Sequence, residues 1–173
     1  MNNEQLKQKL NDLKACSPAM EWLGERDAAQ MWAECERGDW MLWLAKKLGV
    51  NKRQLTLAKG KVAETVKHLM TDERSRNAVE VAIRYGYSEA TEDELFDAAY
   101  AATAAAAYAA ADAYVADAAY AAAAAAAADA AADAADAADA ADAAYVRMAS
   151  LRQSAQIVRE IIPFETILTL LCK

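Results

Sequence analysis

Residues 98–144 read AAYAATAAAAYAAADAYVADAAYAAAAAAAADAAADAADAADAADAA, with 34 alanines in 47 positions. Alanine has the highest intrinsic helix propensity because ordering it costs no side-chain entropy. This stretch by itself therefore sets an all-helical expectation. Neither glycine nor proline interrupts the chain between a capping-box pair, Thr91 with Glu94, and Pro163. One unbroken helix over the intervening 71 residues would run about 106 Å at roughly 1.5 Å per residue. A compact chain of 173 residues has a radius of gyration of only about 16 Å. The tract is thus expected to fold back as a helical hairpin, with Asp112, Asp117 and Asp129 as candidate caps at the turn.

Upstream, shorter amphipathic helices are punctuated by caps and stops. Leu6, Leu10 and Leu13 lie at helical spacing in an opening helix over 2–13. Ser17 before Pro18 reads as an N-cap with proline at the first helical position. Asp27 to Glu36 is a further helix, Gly38 reads as its stop, and Asp39 as the N-cap of a helix from Trp40 to Leu48 that ends at Gly49. Asn51 is expected to cap a helix running to Met70, and Thr71 one running to Tyr85. The expected fold is an all-α helical bundle, with residues 1–90 as an N-terminal helical subdomain and 91–173 as the alanine-rich segment packed on it, the two forming one compact domain.

Composition excludes several classes. Five glycines and two prolines are too few turn signals for an all-β chain. Aspartates interrupt the alanine block and no basic-then-apolar leader opens the chain, so no membrane span or secretory signal is expected, and the expected compartment is the cytoplasm. Cys16, Cys35 and Cys172 are odd in number and lack metal-ligand spacing, so no metal site is expected. From Tyr85 to Val146 the chain carries 12 acids and no base. Such a block repels phosphate backbones, so nucleic acid is not an expected partner, whereas a basic protein is electrostatically suited to it.

Few residues suggest chemistry. His68 is the sole histidine, no nucleophile triad can be built around it, and no glycine-rich phosphate loop is present, so no enzyme and no cofactor are expected. Trp22, Trp32, Trp40 and Trp43 are all four tryptophans of the chain, confined to 22 residues. They read first as a core wall and second as a binding surface, since tryptophan and arginine dominate interface hot spots. Arg37-Gly38-Asp39 lies among them and reads as a helix stop followed by a cap. Asp133, Asp136, Asp139 and Asp142 recur every three residues; that pattern drifts around a helix with roughly 3.6 residues per turn, fanning the carboxylates over half its surface. Lys52, Arg53, Lys59 and Lys67 fall in one sector of about 120°, the sole basic surface the pattern builds.

Several of these stretches resemble a known family. Ala15 to Leu23, then Trp32 with Cys35, Arg37, Gly38, Asp39, Trp40, Leu42, Trp43, Leu44 and Ala45, are similar to segments of immunity proteins of bacterial polymorphic toxin systems. The likeness continues through Ala78 to Tyr85, the box at Thr91 to Leu95, an alanine tract of variable length, and Ile157 to Pro163. It implies an all-α protein without a cofactor that neutralises a cognate toxin by binding it, carried also in phages and mobile elements. The expected function is therefore a non-enzymatic, immunity-type inhibitor with a protein partner. Its expected recognition residues are Trp22, Arg37, Asp39, Trp40, Trp43 and the four tract aspartates. The alternative is a protein that sequesters a small anionic molecule or nucleotide between the Trp40 to Trp43 segment and Lys52, Arg53, Lys59 and Lys67.

Overall fold

The computed structural model describes residues 1–109 and 140–173, and side chains over 1–104 and 147–173. Among the described residues there are nine α-helices and no strand. They are α1 (Asn3–Asp12), α2 (Ser17–Leu23), α3 (Ala28–Glu34), α4 (Gly38–Leu48), α5 (Lys52–Glu64), α6 (Glu73–Gly86), α7 (Glu92–Ala109), α8 (Ala140–Ile161) and α9 (Phe164–Leu171), with a 3-10 turn at Lys67–Leu69. The expected turn of the alanine tract, with Asp112, Asp117 and Asp129, lies outside the described residues.

Side chains start most of these helices by accepting the backbone N–H groups that a first turn leaves unpaired. Asn2 with Gln5 and Asp27 with Gln30 form full capping boxes on α1 and α3. Asn51 accepts from the amides of Arg53 and Gln54 at the head of α5, as expected. Thr91 Oγ1 accepts from the Glu94 amide at 3.2 Å, and Glu94 accepts from the Thr91 amide at 2.7 Å.

Four boundaries differ from expectation. Cys16, not Ser17, precedes α2, and no side chain caps that helix. Asp72, not Thr71, caps α6 through the Arg74 amide at 2.8 Å. The helix from Asn51 stops at Glu64 and the chain tightens into the 3-10 turn before Met70. Gly38 begins α4 rather than ending the helix before it, so Asp39 lies inside the first turn and is not a cap.

The main core joins the two ends of the chain. Leu6 and Leu10 of α1, Leu23 of α2, Trp32 of α3 and Met41 of α4 share one buried cluster with Val158 and Ile162 of the α8 end and Ile167 and Leu171 of α9. Residues from both sides of position 90 thus share the main core. α5 packs on α8 on one side and on α6 on the other, and α6 packs on α7. The second interface has its own small core of Val81, Tyr85, Ala90 and Ala98. Glycine permits the closest crossings: a Cβ on Gly86 would collide with Leu57, and one on Gly60 would lie 2.9 Å from Ile83 Cγ1. Tyr100, set among alanines of α7, is 71% exposed.

Candidate functional site

The tryptophans do not all enter the core. Trp32 is 2% exposed, while Trp22, Trp40 and Trp43 are partly buried. Together the four wall a cavity of about 300 Å³ between the end of α1 and helices α2, α3 and α4. Leu23, Met31, Met41 and Leu44, all buried, complete its apolar lining. Trp22 and Trp40 meet edge to face, with centroids 6.3 Å apart, an arrangement that aligns a positive ring edge with a negative ring face. Clustering of all four indoles in so short a stretch follows from three brief helices packed around one space.

Arginines hold these walls. Arg26 lies 4.6 Å from the Trp22 ring centroid and donates to the Trp22 carbonyl at 2.5 Å, while pairing with Glu34 at 2.9 Å. It ties the end of α2 to α3. Arg37 lies 4.4 Å from the Trp40 centroid, and its fork donates to both carboxylate oxygens of Asp39, at 2.9 and 2.6 Å. Arg159 of α8 donates to the carbonyls of Cys35 at 2.8 Å and Trp32 at 3.4 Å, neutralising the unpaired carbonyls where α3 ends. The Cys35 thiol, donating weakly to the Arg37 carbonyl at 3.6 Å, is pushed upward in pKa by burial. One wall atom has no partner: the Trp32 Nε1–H is buried without an acceptor among the described residues.

The Arg-Gly-Asp step has a structural reason. A Cβ on Gly38 would sit 2.5 Å from Ser154 Cβ and 2.7 Å from the Ala155 backbone nitrogen. Only hydrogen fits where α4 starts against α8. Arg37 and Asp39 then bracket the crossing as an ion pair rather than as a stop and a cap.

The structure thus brings Trp22, Asp39, Trp40 and Trp43 to one cavity, with Arg37 stacked on its wall. Asp133, Asp136 and Asp139 lie outside the described residues, and Asp142 lies on α8 where only the backbone is described. The basic sector is not an open anion site. Lys52 pairs with Glu92 and Lys67 with Glu80; Arg53 donates to the Tyr85 carbonyl at 2.5 Å and covers its ring; Lys59 also has a partner. Lys52, Arg53 and Lys67 thereby join α5 and the following turn to α6 and α7. His68 is exposed, and no group of three or more potential metal ligands is present among the described residues. Sequence reasoning missed Lys14, Cys16 and Ala19 as lining residues. Their only signal was position, just before and within the α2 segment that carries Trp22.

Among the described residues, then, the chain is an all-α packed array of helices, and no described helix is long and apolar enough to cross a membrane. Comparison with protein-family models, with curated proteins and with solved structures gave no match.

Proposed function

We propose that this is a non-enzymatic, cytoplasmic binding protein of immunity type, which neutralises a toxin or effector protein by direct contact. The tryptophan-walled cavity carries the reading. Three partly buried indoles, two of them covered by arginines, offer the side chains on which interface energy concentrates, around a concavity sized for one large apolar anchor. The acidic run from Tyr85 to Val146 adds long-range attraction for a basic face. The helical hairpin expected of the alanine tract belongs to this proposal and rests on chain length alone. The paired state of Lys52, Arg53 and Lys67 gives the anionic-ligand alternative no support.

The experiment is co-expression. Each gene product encoded beside this protein is expressed alone and together with it, and growth is followed. One neighbour is expected to arrest growth and to be neutralised by the intact protein, with Trp22→Ala plus Trp40→Ala losing protection at unchanged expression. Full protection by that double variant, or no toxic neighbour, counts against the reading.

A further inference from the structure

The cavity has features that a flat protein-contact patch would not need, and they concern size and charge. A closed apolar cavity of about 150 Å³ is enough to take benzene. This one, at about 300 Å³, has room for a fused bicyclic ring, or a ring with a short tail. Of its lining residues only Lys14 and Asp39 carry charge. Arg37 already occupies Asp39 at 2.6 Å, whereas the Lys14 ammonium has no partner among the described residues. Lys14 is exposed, so the lining carries one unpaired, solvated positive charge next to an otherwise apolar, aromatic wall. Trp32, one of the lining residues, also has its Nε1–H buried without an acceptor among the described residues.

Lys14 is also held in an unusual backbone state. Its φ is 67°, in the left-handed region, and it closes α1 with its own amide on the Asn11 carbonyl at 2.9 Å and the Ala15 amide on the Leu10 carbonyl at 3.0 Å. That helix-closing position is normally glycine, because a Cβ is strained there. A cation favours a helix C-terminus, but a neighbouring residue supplies that without left-handed strain. From these observations we infer that the cavity is a binding site for a compact aromatic monocarboxylate of about a dozen non-hydrogen atoms, its ring among the four indoles and its carboxylate at Lys14. The inference rests on the same cavity as the proposed function but not on the identity of any toxin.

The test is calorimetric titration of the purified full-length protein with naphthalene-2-carboxylate and with its uncharged isostere, naphthalene-2-carboxamide. The acid is expected to bind once per chain and about five-fold more tightly than the amide, the upper end for an exposed ion pair. Lys14→Gln should remove that preference and leave the amide affinity unchanged. Lys14→Gly should do the same while raising the melting temperature by roughly 2–4 °C, because it relieves the strained backbone. Ala19→Trp, which puts a large side chain on the α2 part of the lining, should abolish binding of both compounds with the fold intact by circular dichroism. No binding of either compound, equal affinity for the two, or an acid preference that survives Lys14→Gln overturns the inference. Any of these results leaves the co-expression test of toxin neutralisation standing on its own.

Discussion

Gly38→Ala places a methyl group into the α4–α8 crossing. The new Cβ would stand 2.5 Å from Ser154 Cβ and 2.7 Å from both the Ser154 carbonyl carbon and the Ala155 nitrogen. Carbon pairs at rest sit roughly 3.5–4.0 Å apart, so α8 must retreat by about 1 Å. Two of the three opposing atoms are backbone and cannot rotate away, which puts the cost near the upper end of the about 1–3 kcal/mol seen for overpacked sites. The better helix propensity of alanine offsets about 0.5–1 kcal/mol of it. The net loss is about 2 kcal/mol, or a fall in Tm of roughly 4–8 °C for a domain of this size. Urea denaturation followed by circular dichroism measures it. Ser154→Gly in the same chain should recover part of the loss by removing one of the three contacts. Gly49→Ala, which meets nothing within 4 Å but has a φ of +77°, should cost only the left-handed strain, about 1–2 kcal/mol. A Gly38→Ala protein as stable as the parent would refute the close-crossing argument.

Three further outcomes are expected. Arg159→Gln should destabilise by about 1.5–3 kcal/mol in denaturant, because its charged hydrogen bonds to the ends of α3 have no substitute. Trp32→Ala should cost about 3–5 kcal/mol, and Trp43→Ala clearly less, since Trp32 is buried and Trp43 only partly so; equal losses would deny the distinction. The Asp72 carboxyl is held down to about 2 by hydrogen bonds from Arg74. Because its folded pKa lies below its ordinary 3.8, its contribution is complete above that ordinary value and disappears as pH falls toward about 2. Carboxyl NMR titration should show this value rising toward ordinary in Arg74→Gln, and an unchanged titration would disprove the pairing.

What could be read from the sequence divides by range. Asn51, Thr91 with Glu94, and Gly49 act through partners within a few residues, and each caps or stops a helix where local pattern puts it. Arg37-Gly38-Asp39 failed the same reading because the decisive neighbour of Gly38 is Ser154, more than a hundred residues later in the chain, and no local rule carries that contact. The basic sector assumed one helix to Met70, whereas α5 ends at Glu64 and Lys67 lies in the 3-10 turn, and the charges of Lys52, Arg53 and Lys67 serve α6 and α7 through Glu92, Tyr85 and Glu80. Periodicity shows which side chains share a face; it does not show what that face meets. The tryptophan cluster read first as core, and how far each indole is buried depends on how α1 to α4 pack. Their short lengths leave a space that three indoles border and one indole helps to close.

All four tryptophans of the chain line the proposed recognition cavity, so a label on tryptophan reports on that cavity alone. Fluorine NMR of protein carrying 5-fluorotryptophan, recorded with and without any toxic neighbour that the co-expression experiment identifies, is therefore the most direct measurement. Recognition through the cavity predicts that the resonances of Trp22, Trp40 and Trp43 shift or broaden in step with complex formation. A saturated complex in which all four resonances stay where they were in the free protein would contradict it.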